Sequence, residues 1–172
     1  MLCFDTIQSL REQLSAWRKQ SRSIALVPTM GNLHAGHLAL IKKAQQIADR
    51  TVATIFVNPT QFVQGEDFAA YPRTFEDDQK ALEASGADVL FHPEVQEMYP
   101  DGTELQTRVT VAGLDDIFCG KFRPGHFSGV ATVVTRLFHI TEPDVALFGE
   151  KDYQQLLVIR RLVRDLNLPV AI

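Results

Sequence analysis

Cysteine is scarce in this 172-residue sequence: Cys3 and Cys119 are the only two, and they lack the paired spacing of a zinc site or a disulfide framework. They read as ordinary reduced thiols. Long hydrophobic runs are missing as well. No apolar stretch approaches the roughly 20 residues that a membrane-spanning helix needs, and the N-terminus lacks the charged-then-apolar layout of a secretion signal. A cytoplasmic protein with no membrane partner is the expectation. Nor is there an excess of positive charge, with 17 Lys and Arg against 21 Asp and Glu and a net charge of −4. The cations are scattered, so the basic stripe that neutralises nucleic-acid phosphates is lacking. What remains is 45% hydrophobic and 22% charged, enough for one sizeable core and too little for two comfortable domains.

The hydrophobic pattern changes period along the chain. Ile7, Leu10, Leu14 and Trp17 recur at helical spacing, with Asp5 as the candidate cap. Residues 24–28 and 51–57 are short continuous apolar runs of the kind a buried parallel strand shows. Between them Leu40, Ile41, Ala44, Ile47 and Ala48 mark a helix, entered through a glycine-punctuated segment from Met30 to Gly36. A second unit follows. Thr74 and Asp77 have capping-box spacing for a helix to about Ser85, and a strand over 87–91 comes next. The stretch 93–121 is rich in turn residues around one expected strand, 106–111. Val130, Val133, Val134, Leu137 and Phe138 then predict a helix, 144–148 a strand, Leu156 to Leu166 a last helix, and 168–172 the start of another strand. Alternating strands and helices predict an α/β fold: a Rossmann-like, doubly wound, mainly parallel sheet with helices on both faces. Ligands of such sheets bind beyond the carboxyl ends of the strands, where strand order reverses.

Three strand ends carry residues suited to chemistry. After the first lie Met30, Gly31, Asn32, Leu33, His34, Ala35, Gly36 and His37, leading into a helix whose N-terminal N–H groups favour an anion. Two imidazoles three residues apart could donate hydrogen bonds to phosphate oxygens, or could simply cap the helix; zinc is disfavoured because no third ligand is near. After the second strand, Asn58 and Gln61 offer neutral amides that bond a hydroxyl or carboxylate without burying a competing charge, or else form a turn. After 144–148 come Gly149, Glu150, Lys151 and Asp152, with Gln155 three residues on. There the ammonium of Lys151 suits phosphate, while Asp152 and Gln155 have capping-box spacing.

The segments Pro28 to His37, Asn58 to Phe62 and Phe148 to Gln155 together resemble the pantothenate synthetases, within the nucleotidylyltransferase superfamily marked by His-x-Gly-His. The resemblance spans nearly the whole chain, with Thr60 a departure from the Met usual there. It implies ATP binding by residues 30–37 and 149–152, with His34, His37 and Lys151 catalytic. Gln61 and Gln155 would hold pantoate, and Gln61 with Asn58 would meet β-alanine. Arg123 and His126 would stand beside the substrate pocket, or else belong to a solvated turn, and Asp77 and Asp78 would hold Mg²⁺, although the sequence favours capping for Asp77. The implied reaction joins pantoate and β-alanine through a pantoyl adenylate, consuming ATP, in a homodimer. Residues 1–172 would be the nucleotide- and pantoate-binding N-terminal domain, with the family's smaller C-terminal domain and its Ser-Ser-Arg phosphate clamp absent. Two alternatives stand beside this reading: a non-catalytic nucleotide-binding or dimerising module, and another adenylylating or cytidylylating enzyme of the superfamily.

Overall fold

In the computed structural model, which describes residues 1–62, 66 and 68–172, five strands form one parallel sheet. Strands β1 (Leu2–Phe4), β2 (Ile24–Thr29), β3 (Arg50–Ile55), β4 (Val89–Phe91) and β5 (Val145–Ala146) lie in the spatial order β1-β4-β3-β2-β5. Their apolar runs are explained by burial on both faces. In β2, Ile24 and Leu26 point into one hydrophobic cluster and Ala25 and Val27 into the other, the two-residue alternation of a pleated strand. Pro28 lies beyond the last pair that β2 makes with β5, so its missing N–H breaks no ladder bond there.

The helices that cover the sheet are α1 (Ile7–Lys19), α2 (Ala35–Ile47), α3 (Phe75–Ser85), α6 (His126–Thr141) and α7 (Tyr153–Asp165), with one-turn helices α4 (Val95–Met98) and α5 (Cys119–Phe122) between them. Ile41 and Ala44 of α2 and Leu82 of α3 bury against one face. Leu10, Leu14 and Trp17 of α1, the apolar side of α6, and Val158, Ile159 and Leu162 of α7 bury against the other. Burying each of the larger aliphatic side chains contributes about 1.5–3 kcal/mol, far more than helix propensity supplies, so packing fixes these helices in place.

Several local expectations are corrected. The cap of α1 is Thr6, whose extended backbone lets its hydroxyl accept the Ser9 N–H at 3.3 Å; Asp5 is one residue too early. Thr74 and Asp77 form no capping box, because the Thr74 hydroxyl bonds Asp78 instead. Residues 106–111 are not a strand: Val109 donates its N–H to the Thr132 hydroxyl at 2.9 Å, which ties the segment to α6 rather than to the sheet. The expected strand at 144–148 shrinks to Val145–Ala146, and the last residues make one parallel bridge, Ala171 to Val145. Strand β1, only three residues long, gave no periodic signal.

The chain adds β3 on one side of β2 and β5 on the other, so strand order reverses at β2. The loops that leave β2 and β5 therefore diverge and open a crevice between them.

Candidate active site

A cleft of about 560 Å³ occupies that crevice. The loops after β2 and β5, the start of α2 and the turn after β3 bring its polar groups. Val130, Val133, Val134 and Leu137 of α6 give it an apolar wall.

The loop after β2 is kinked by two residues in left-handed conformation, Gly31 (φ 84°) and Asn32 (φ 52°). Beyond the kink, α2 begins with a reciprocal box. His34 accepts the Gly36 N–H on Nδ1 at 3.1 Å, and the His34 N–H points to His37 Nδ1 at a long 3.4 Å. The two rings stack 4.1 Å apart. With each Nδ1 accepting a backbone N–H, Nε2 is the nitrogen left to carry a proton toward a ligand. Burial, followed by the neighbouring His34, holds His37 below the usual histidine range, so near neutrality it is an uncharged hydrogen-bond donor. Capping thus uses only one nitrogen of each ring and is compatible with ligand binding through the other. Gly36 leaves the mouth of the site open, since a Cβ there would stand 2.9 Å from the His34 ring. Met30, Gly31, Asn32, His34, Gly36 and His37 all line the cleft. Leu33 and Ala35 do not: the Leu33 side chain packs into the core with α2 and α3, and Ala35 faces away, exposed.

Asn58 and Gln61 frame the next wall. Asn58 is buried and its amide is fully engaged: Nδ2 donates to Gln61 Oε1 (3.1 Å) and the Gly129 carbonyl (3.2 Å), while Oδ1 accepts from the Tyr99 hydroxyl at 2.8 Å. It lines the cleft but works as the pin of the turn, which leaves little capacity for a ligand. Gln61 keeps more: among the described residues its Nε2 faces only the Met30 sulfur, 3.0 Å away and a weak acceptor that a ligand oxygen could replace.

Arg123 and His126 stand behind this turn, beside the cleft rather than in its lining. His126 Nδ1 meets the Gln61 carbonyl at 2.7 Å, its Nε2 meets Arg123 at 2.9 Å, and Arg123 forms a two-point ion pair with Glu66 at 2.6 and 2.9 Å. Burial above all holds His126 below the usual histidine range, consistent with a neutral ring that donates to Gln61 and accepts from Arg123.

At the third wall, residues 150–152 form one turn of 3-10 helix and put exposed Lys151 at the mouth of the cleft. The alternative reading of Asp152 and Gln155 as a capping box fails, because Asp152 makes no side-chain cap bond. Gln155 lines the cleft, half-buried. Its neighbour Gln154 serves the fold instead, accepting the Cys119 N–H and donating to the carbonyls of Leu114 and Ile117.

Asp77 and Asp78 do not come together as a magnesium site. Asp77 is exposed beside Lys80 at 3.8 Å. Asp78 is buried, and both its oxygens accept backbone N–H groups, from Leu33 at 2.7 Å and Asn32 at 2.8 Å. Among the described residues no group of three or more His, Cys, Asp or Glu could hold a metal ion.

Sequence reasoning missed Tyr71 and Phe56, which line the cleft, and Gly129. A Cβ on Gly129 would lie 2.2 Å from the Thr60 carbonyl oxygen, so glycine lets α6 press against the turn that carries Gln61. A glycine inside an apolar helical pattern was the available signal. Tyr71 has no local signature.

The profile of the pantoate-beta-alanine ligase family matches residues 2–172. The pantothenate synthetase of Paramagnetospirillum magneticum is 59% identical over 97% of this chain and 58% of its own length, and that of Shewanella halifaxensis 54% identical over 100% and 61%. Among solved structures, the pantothenate synthetase of Thermus thermophilus superposes with a TM-score of 0.93 at 51% identity, over 99% of this chain and 60% of that one. The Francisella tularensis pantoate-beta-alanine ligase, complexed with beta-gamma ATP and beta-alanine, has the same TM-score at 42% identity over 99% and 65%. The chain spans about 60% of the length of the curated relatives it matches. With a parallel sheet, a histidine-capped helix at its switch point and this similarity along its whole length, the chain belongs to the pantoate-beta-alanine ligase family.

Proposed function

We propose that this chain is the nucleotide- and pantoate-binding domain of an enzyme that ligates pantoate to β-alanine at the expense of ATP. One observation carries the reading: a stacked histidine pair at a helix N-terminus and two side-chain amides, Gln61 and Gln155, share one cleft at the sheet's switch point. The helix start and the Nε2 donors of His34 and His37 suit the phosphates of a nucleotide, and Lys151 adds a positive charge at the mouth. The amides suit a hydroxy acid, and the apolar side of α6 suits its hydrocarbon part.

In the first step a pantoate carboxylate oxygen attacks the α-phosphorus of ATP and the bond to the β-phosphate oxygen breaks, giving the acyl adenylate and pyrophosphate. In the second, the free amine of β-alanine attacks the acyl carbon, the bond to the adenylate oxygen breaks, and AMP departs while the amine's proton goes to water. His37 and Lys151 stabilise charge on the phosphoryl oxygens, and Gln61 and Gln155 orient the carboxylate for attack. No nucleophilic side chain takes part. Asp77 and Asp78 do not fit magnesium, and no step is assigned through it.

Pantoate labelled with ¹⁸O in its carboxylate tests the chemistry under single-turnover conditions. The reading requires label in AMP when β-alanine is present; labelled pantothenate with unlabelled AMP rules out the acyl adenylate. The proposal includes a homodimer. The exposed Phe118 and Phe122 around α5, beside Tyr153 at the start of α7, offer an apolar surface for a second copy, and sedimentation at micromolar concentration reads it.

A further inference from the structure

We propose that Asp78 is a positioning residue for the nucleotide: from α3 it clamps the kinked loop that sets the start of α2. The proposal rests on the nucleotide reading above. Its basis is geometric. Gly31 and Asn32 take left-handed conformation, so the N–H groups of Asn32 and Leu33 turn away from both β2 and α2. Backbone donors so placed need an acceptor from elsewhere. Asp78 supplies two, Oδ2 to the Asn32 N–H at 2.8 Å and Oδ1 to the Leu33 N–H at 2.7 Å, and its Oδ2 also receives the Thr74 hydroxyl at 3.0 Å.

The carboxylate is 4% exposed and stands in the first turn of α3, anchored by its own N–H to the Thr74 carbonyl at 2.9 Å. Gly31 permits the approach, since a Cβ there would come within 3.0 Å of Asp78 Oδ2. Immediately after the clamped pair comes His34, the cap of α2. The clamp therefore fixes the direction in which the helix N–H groups and the two imidazoles face the cleft, and anion recognition at a helix start depends on that direction. Asp78 does not itself line the cleft; it holds from behind the Asn32 that does.

Asp78→Asn tests this while conserving shape, because one amide nitrogen would face a backbone donor. In the ligand-free protein, amide exchange at Asn32 and Leu33 should accelerate. AMP affinity measured with EDTA present should fall by roughly tenfold, the effect of losing one acceptor at a buried N–H, while pantoate affinity stays within roughly twofold. Thr74→Val removes a single donor from an exposed position and leaves both backbone bonds, so it should fold and weaken AMP by roughly threefold. That variant decides the matter if Asp78→Asn does not fold.

Unchanged AMP affinity in the variants, with the parent binding AMP, overturns the clamp. Weakening of Mg-ATP alone, with AMP unaffected, overturns it in favour of a metal ligand. Parallel loss of AMP and pantoate overturns it in favour of general damage. A parent protein that binds no AMP would remove the nucleotide reading, and the exchange rates at Asn32 and Leu33 would still show whether Asp78 holds the loop.

Discussion

Gln155 separates a ligand-binding role from a structural one. Its side chain is half-buried in the cleft wall, and Asp152, the residue it would partner in a capping box, makes no side-chain cap bond. Among the described residues its amide makes no hydrogen bond that the fold would lose, and alanine is if anything the better helix former by a few tenths of a kcal/mol. The melting temperature of Gln155→Ala should stay within about 2 °C of the parent, less than the shift that 1 kcal/mol produces in a chain of this size. Pantoate should lose a hydrogen-bond partner in the cleft, at about 1–3 kcal/mol, or a roughly 5- to 150-fold rise in dissociation constant. AMP affinity should barely change. Titration calorimetry with each ligand, beside a melting scan, reads all three quantities on the 172-residue chain. A melting temperature several degrees lower with an unchanged pantoate constant would refute the assignment and restore the cap.

Other outcomes follow from the same geometry. His37→Ala should slow pantoate-dependent pyrophosphate release by roughly two to three powers of ten, the scale of losing one oxyanion-type donor; an unchanged rate would leave His37 only its capping role. Gly129→Ala should destabilise the protein by about 1–3 kcal/mol, because the new Cβ meets the Thr60 carbonyl, and should weaken pantoate by displacing Gln61; a variant as stable as the parent would show that α6 does not press on the turn. Lys151→Ala should leave the melting temperature unchanged and weaken ATP more at low salt than at high, which ATP titration at two ionic strengths checks. His37, His92 and His126 are all held below the usual histidine range, by burial first. On acidification below about pH 6.5 the unfolded chain binds protons that these folded sites refuse, so stability should fall from there downward and these groups should not change it between pH 7 and 8. His126→Gln should flatten that slope, and melting curves that rise between pH 7 and 5 would contradict the argument.

Local pattern revealed much of the fold because its main elements depend on burial. The runs at 24–28 and 51–57 could be read as strands because both faces are covered, and the stripes of α1 and α7 because one side is, while α6 is buried around most of its circumference. What stayed hidden depends on partners distant in sequence. The strand expected at 106–111 turned out to dock on α6 through Thr132, and β1 forms only because β4 is there to pair with it. The histidine pair and Gln61 were legible in their motifs. Resemblance puts Arg123 and His126 beside the substrate pocket but does not reveal their partners, Glu66 and the Gln61 carbonyl, 57 and 65 residues away. Asp78 was read by type, and only the folded loop shows that both its oxygens are engaged.

The central claim is that nucleotide and pantoate share the cleft at the switch point of β2, and ligand-dependent melting tests it most directly. ATP and pantoate, added separately, should each raise the melting temperature, since only a ligand that binds the folded chain stabilises it. Together in wild type they should raise it further, and Gln155→Ala should abolish most of the pantoate shift while keeping that of ATP. A melting temperature indifferent to both ligands, or a pantoate shift untouched by Gln155→Ala and Gln61→Ala together, would contradict the account.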